Sequence, residues 1–220
     1  MSLIGATGGV IGAAGVAASG SSYLVEENFE GTGAPTGWTT ASEGGTINYD
    51  STTSPLRGSQ SLRLTHSGWP GARVYKAFTA QSQVYLFARV RWAADAGDDT
   101  PILTLRDSSG NTLCTLLVRS GGGAFRLYHG TTFGNASSSP TANTTYYVWI
   151  SYTAGTGANG AATLHWGTAT TKPGSADISV STGTATADAA QIHCETGEYG
   201  GTHDYDQILV SDEAIGDVDS

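Results

Sequence analysis

Between positions 101 and 152 apolar and polar residues alternate in short runs, PILTLRD, TLCTLLVR, AFRLYHG and TYYVWISY. The turn clusters SSGN at 108–111 and SGGG at 120–123, and a polar loop before the last run, separate them. Short runs of β-branched, Leu and aromatic residues bounded by Gly, Ser and Asn are the pattern of strands. The stretches 107–111 and 121–123 supply the Gly and Asn that tight hairpins use at positive φ. The same rhythm gives strands over 23–29, 46–50, 61–65, 72–78 and 83–92. It gives more over 161–167, 176–180, 189–194 and 205–211. Turn signals roughly every ten residues point to a sandwich or barrel. Runs of Glu, Lys, Leu and Ala at helical spacing are missing, as are heptads and repeats of fixed period. The expectation is an all-β, antiparallel protein.

The alternation also sorts side chains by face. In QVYLFARVRW, Val84, Leu86, Ala88, Val90 and Trp92 share one face. Tyr85, Phe87, Arg89 and Arg91 share the other. The same split sets Arg106 against Leu105, Arg126 and Tyr128 against Leu127, Tyr147 and Trp149 against Val148, and His165 against Leu164. Several strands therefore pair an apolar face with one of Arg, Tyr, Trp and His. Such a face is either solvated, with arginines and aromatics packed on one another, or a surface for glycans or partner proteins. Aromatic planes stack on sugar rings, and guanidinium forks bond hydroxyls or carboxylates.

Composition narrows the classes. The chain has 220 residues, 13% of them charged, with a formal net charge of −9. An acidic surface repels phosphate backbones, which argues against nucleic-acid binding. Composition is even from residue 23 onward, so 23–220 reads as one domain, large enough for a real core. Residues 1–22 differ, being uncharged and rich in Gly and Ala. They lack the basic start of a secretory signal and are too diluted for a membrane span. They read as an assembly arm whose anchors are Leu3, Ile4, Val10, Ile11 and Val16. The two cysteines, Cys114 and Cys194, sit in apolar runs and read as buried thiols or as one disulfide.

The segments NFEGTGAPTGW, SPLRGSQSLRLT, PILTLRDSSGNTLCTLLV and HDYDQILVSDEAIG occur in the order found in concanavalin A-like, or laminin-G-like, jelly-roll domains. The chain resembles that family over nearly all of 23–216. Carbohydrate-binding modules that open on FEG…GW share part of the likeness. The Gly/Ala-rich head is similar to N-terminal arms of bacteriophage virion proteins. The first resemblance implies a jelly-roll sandwich with a calcium ion between its first and last strands. Glu27, Glu30 and Asp206 would be its oxygen donors here.

Catalytic motifs are sparse. There is no G-x-S-x-G elbow, P-loop or H-E-x-x-H. The Glu-x-Asp-x-x-Glu strand of laminarinase-type enzymes is missing, and Glu26 and Glu27 point to opposite faces of one strand. A retaining glycosidase needs two carboxyls about 5–5.5 Å apart on one side of the sugar. His193, Cys194, Glu195 and His203 carry zinc-ligand chemistry, but alternation sets Cys194 on the face opposite His193 and Glu195. The expectation from sequence is therefore a non-catalytic virion component of decoration or fibre type. It would join other virion proteins or copies of itself through the arm and sit on the virion surface. The alternative is an extracellular glycan-binding module.

Overall fold

The computed structural model describes residues 23–41, 44–66, 68, 71–93, 99–119, 123–197 and 201–219. The assembly arm proposed for 1–22, with its five apolar anchors, lies outside the described residues. Fifteen strands and no helix occur among the residues described. They run β1 Val25–Glu27, β2 Trp38–Thr40, β3 Gly45–Ser51, β4 Ser61–His66, β5 Arg73–Gln81, β6 Gln83–Trp92, β7 Thr100–Arg106 and β8 Thr112–Val118. Then follow β9 Phe125–His129, β10 Thr132–Asn135, β11 Tyr146–Thr153, β12 Ala161–Gly167, β13 Ile178–Val180, β14 Ala189–Glu195 and β15 Thr202–Ser211.

The strands form two antiparallel sheets packed as a sandwich. One has eight strands in the order β13-β12-β11-β6-β15-β4-β3, with β1 also paired to β15. The other has seven, in the order β10-β9-β8-β7-β14-β5-β2. We call them the eight-stranded and seven-stranded sheets. The expected all-β jelly-roll architecture is what the chain adopts. The short strands β2 and β10 were not expected, because three or four residues carry too little alternation to read.

One core fills the space between the sheets. The inward face of β6, Val84 to Trp92 at alternate positions, is buried as its pattern predicts. Trp92, Phe125, Tyr146 and Trp166 pack ring on ring there, with centroids 5.0–6.0 Å apart. Two buried polar residues of β15 tie the sheets together. The Tyr205 hydroxyl lies 2.9 Å from the Ile102 carbonyl and 2.5 Å from that of Glu195. His203 Nδ1 lies 2.8 Å from the same Glu195 carbonyl. Both contacts fix the end of β14. Burial holds the His203 imidazole down at about 4, so it is uncharged at neutral pH.

The turn expected over 107–111 forms as a hairpin between β7 and β8. Asp107 Oδ1 accepts hydrogen bonds from the Ser109 and Asn111 amides, and Gly110 takes φ 86°. Both cysteines are free and buried, which settles the alternative of a disulfide. Burial pushes the Cys114 thiol up to about 12, so it has no thiolate chemistry near neutrality.

Candidate active site

The ten residues grouped from sequence as one glycan or partner face divide between the two outer surfaces of the sandwich. Tyr85, Phe87, Arg89, Arg91, Tyr147, Trp149 and His165 lie on β6, β11 and β12 of the eight-stranded sheet. Arg106, Arg126 and Tyr128 lie on β7 and β9 of the seven-stranded sheet. Alternation tells which side of its own strand a residue takes. It does not tell which sheet the strand joins.

On the eight-stranded sheet that face is occupied by the chain itself. Phe87, Trp149 and Leu209 are buried with Ile215 in a second apolar cluster, flanked by Tyr23 and Val218 from the two ends of the described chain. Trp149 Nε1 donates to the Gly216 carbonyl at 2.9 Å. Arg89 donates to Gln207 Oε1 at 2.7 Å and to the Asp219 carbonyl. Arg63 and Arg91 both pair with Asp204, at 2.6 and 2.7 Å. His165 Nδ1 lies 2.8 Å from the Pro173 carbonyl. These arginines and aromatics are engaged by the chain's own groups.

The outer face of the seven-stranded sheet is built differently. Register places Tyr75 of β5 beside His193 of β14, and His193 beside Thr104 of β7. Their inward neighbours Val74, Ile192, Cys194, Leu103 and Leu105 belong to the core. The next positions on the outer face are Gln191 beside Arg106, and Arg73 beside Glu195. Six polar side chains and a tyrosine are thereby gathered by three adjacent strands.

Their geometry is specific. The Tyr75 and His193 rings stack with centroids 4.9 Å apart. His193 Nε2 lies 2.9 Å from Gln191 Oε1, so Nε2 carries the proton and Nδ1 keeps a lone pair. Arg106 donates to Glu195 Oε1 at 3.2 Å and to the Gly110 carbonyl at 3.0 Å. His193 Nδ1 is 3.9 Å from Glu195 Oε1, but this is no ion pair. Burial, reinforced by the Arg106 and Arg73 cations, holds the imidazole down at about 3, so it stays neutral.

Five buried side-chain polar atoms lack a hydrogen-bond partner among the described residues, and three of them are here: Arg73 Nε, Arg106 Nε and His193 Nδ1. Buried polar groups are nearly always paired, so an unpaired group calls for an explanation. Three of the five thus fall on adjacent strands, two of them guanidinium donors and one a neutral acceptor, all buried beneath the outer surface.

The strand runs ARVYKAF and AAQIHC carry the same polar-face signal as those singled out from sequence. Tyr75, Arg73 and Gln191 were nonetheless missed, because single strands do not show that β5 and β14 are neighbours. His193 and Glu195 were weighed only as zinc ligands. The structure sends Cys194 into the core, away from both, as alternation predicts. His203 lies under β14 rather than beside them.

The three residues expected to hold calcium each have other partners. Glu27 accepts from the Phe29 amide and from Trp38 Nε1, at 3.0 and 3.2 Å. Glu30 accepts from the Ser59 amide and hydroxyl. Asp206 accepts from the Arg57 and Gln207 amides and the Ser61 hydroxyl. Burial outweighs these donors and raises the Asp206 carboxyl to about 7. Among the described residues no three His, Cys, Asp or Glu side chains are grouped as a metal site requires.

No protein-family model matches the chain, and no curated protein sequence matches it. Solved structures do match its fold. An endo-β-1,4-glucuronan lyase from the fungus Trichoderma reesei superimposes with a TM-score of 0.63 at 11% identity, over 86% of this chain and 95% of that one. A cellulose-induced protein, Cip1, gives 0.63 at 16% identity, over 87% and 99%. An alginate lyase from Aplysia kurodai gives 0.59 at 11% identity, over 86% and 99%. At these identities the likeness establishes the jelly-roll fold. It also corrects the expectation of a non-catalytic phage structural protein, since the neighbours are polysaccharide lyases and a cellulose-induced protein. That expectation rested on a featureless N-terminal composition and on missing hydrolase motifs. Neither observation bears on a reaction that uses no paired carboxylates.

Proposed function

We propose that the protein is a carbohydrate-active enzyme that cleaves an acidic polysaccharide by β-elimination. The observation that carries the reading is the set of unpaired atoms of Arg73, Arg106 and His193 around the Tyr75–His193 stack. The lyases among the fold neighbours supply the reaction class.

The chemistry follows from the substrate. In a uronate chain the proton on C5 sits beside the carboxylate and becomes removable only when that negative charge is stabilised. Arg73, Arg106 and the Gln191 amide are the donors available for it. Removal of the C5 proton leaves an electron pair that forms the C4–C5 double bond. The C4–oxygen bond then breaks, and the departing oxygen takes a proton. No water is consumed. The Tyr75 hydroxyl on the half-buried outer side of the stack is assigned both transfers, delivering its proton to the departing C4 oxygen and taking the C5 proton in its place. His193, neutral and stacked on the Tyr75 ring, holds the phenol in position.

Charge supports the choice of an anionic substrate. The chain as a whole carries −9, yet three of its ten Lys and Arg residues, Arg73, Arg106 and Arg126, lie at outer-face positions of this one sheet, and Arg119 directly follows β8. The test is incubation of purified protein with glucuronan and with alginate. A lyase releases chain ends with a 4,5-double bond, seen as rising ultraviolet absorbance. Reducing ends without that absorbance, or no cleavage of either polymer, would count against β-elimination.

A further inference from the structure

We infer that the corner formed by Arg126 and Phe133 is a distal subsite for an acidic sugar unit of the same polysaccharide chain, a proposal that rests on the lyase reading. The register makes the connection. From His193 the outer-face row continues to Thr104, then Thr115 on β8, Tyr128 on β9 and Phe133 on β10. Neighbouring strands lie about 4.8 Å apart, so Phe133 stands four strands, roughly 19 Å, from His193. That is the reach of an oligosaccharide rather than of one sugar. The row is aromatic at both ends and small between them, since Thr104 and Thr115 carry only short hydroxylated side chains. A trough with raised ends suits a chain lying across the strands.

The far end has its own recognition chemistry. Phe133 is 47% exposed, the one exposed large apolar side chain among the described residues. The Arg126 guanidinium lies 4.5 Å from its ring centroid and is held in place on two sides. Its Nη1 donates to Asp99 Oδ2 at 2.8 Å, and its Nε to Asn135 Oδ1 at 3.0 Å. Nη2 makes no hydrogen bond with the described residues, which leaves a fixed donor beside an open aromatic ring. Arg119 shares the Asp99 carboxylate at 3.9 Å, so two cations face one anion. An aromatic surface for a pyranose ring next to a pre-positioned guanidinium donor selects a sugar that bears a carboxylate.

The test measures binding as well as turnover. Affinity for alginate and glucuronan would be measured by calorimetry on the wild type and on Arg126→Ala, Arg126→Lys and Phe133→Ala. A neutral β-glucan serves as control. Arg126→Ala should weaken binding of the acidic polymers roughly tenfold, the scale of one lost charged hydrogen bond. Arg126→Lys keeps the charge but not the planar fork and should recover only part of it. The loss should shrink on oligomers too short to span from His193 to Phe133. Wild-type affinity in Arg126→Ala and Phe133→Ala, with turnover of the polymer intact, would overturn the subsite and leave the lyase reading standing. Weakened binding by those variants with no unsaturated product from the wild type would do the reverse. Equal loss on the neutral glucan would overturn the assignment to an acidic sugar.

Discussion

Tyr75 and His193 lie face to face on neighbouring strands, ring centroids 4.9 Å apart and planes within 15°. His193 is 4% exposed, and Tyr75 lies nearer the surface. The pair therefore has an order, with a phenol that can meet substrate and an imidazole that cannot easily be reached except through it.

Removal of that phenol should separate chemistry from folding. Tyr75→Phe keeps the stacked ring and should leave the melting temperature close to that of the wild type. It should lower kcat on an acidic polymer about 10²–10⁴-fold, the usual worth of a positioned acid or base. Release of the unsaturated product at the wild-type rate would show that Tyr75 is not the transferring group.

Arg106 should matter for both binding and stability. It contributes the donor to Glu195, which is 8% exposed. Arg106→Ala leaves that carboxylate buried without its partner, at a cost of about 3 kcal/mol in denaturant unfolding. Replacing Glu195 by Gln in the same chain removes the stranded charge and should recover much of this loss. It should not recover the raised KM, and that difference identifies the guanidinium as a substrate contact.

Stability should fall as the solution is acidified. His193 and His203 are held at about 3 and about 4, below the ordinary 6.5 of the unfolded chain. Between those values and 6.5 the unfolded state binds more protons, so stability rises with pH there and is lost as pH drops through that window. Asp206 has the opposite sign. Its folded value of about 7 lies above the ordinary 3.8, so its contribution is full below 3.8 and lost as pH rises through 7. Urea midpoints at pH 4, 5.5 and 7 should increase in that order for the wild type. In His203→Gln the increase should be smaller.

The chain end that covers the eight-stranded sheet should be separable from catalysis. Truncation after Ser211 removes Ile215 and the Gly216 carbonyl from Trp149 and uncovers Phe87. The shortened protein should melt lower and bind an apolar dye. Its turnover, measured below its melting range, should persist, because the Tyr75–His193 site lies on the other sheet. Coupled loss of activity at temperatures where the fold is intact would tie the two faces together.

Gly183 gives a steric test of the core edge. A Cβ there would lie 2.1 Å from His129 Nδ1 and 2.5 Å from its Cγ. That ring stacks on Tyr152, and its Nδ1 accepts from the Thr184 and Ala185 amides. Gly183→Ala should therefore cost about 1–3 kcal/mol, the range for forced overpacking. An unchanged unfolding midpoint would mean that the loop shifts freely.

Much of this was legible in the chain. The run QVYLFARVRW announced an inward row of Val84, Leu86, Ala88, Val90 and Trp92, and that row is the centre of the core. Cys194 was placed opposite His193 and Glu195 by parity alone, and it is. Period-two alternation is a property of one strand and needs no partner to be read. The burial of Phe87 and Arg89 on the supposedly open face was not legible, because the residues that cover them lie about 130 positions later.

The sequence by itself thus determined the longer strands, their inward rows and the all-β class, since each is written in local alternation and turn chemistry. Only the tertiary structure decided which strands are neighbours. Pairing β5 with β14, and β14 with β7, joins positions 73–75, 104–106 and 191–195 into one surface. It also consigns Tyr147 and Trp149 to the opposite side of the sandwich. Strand order is set by how the two sheets bury their apolar faces together, a global condition that no short window of residues contains.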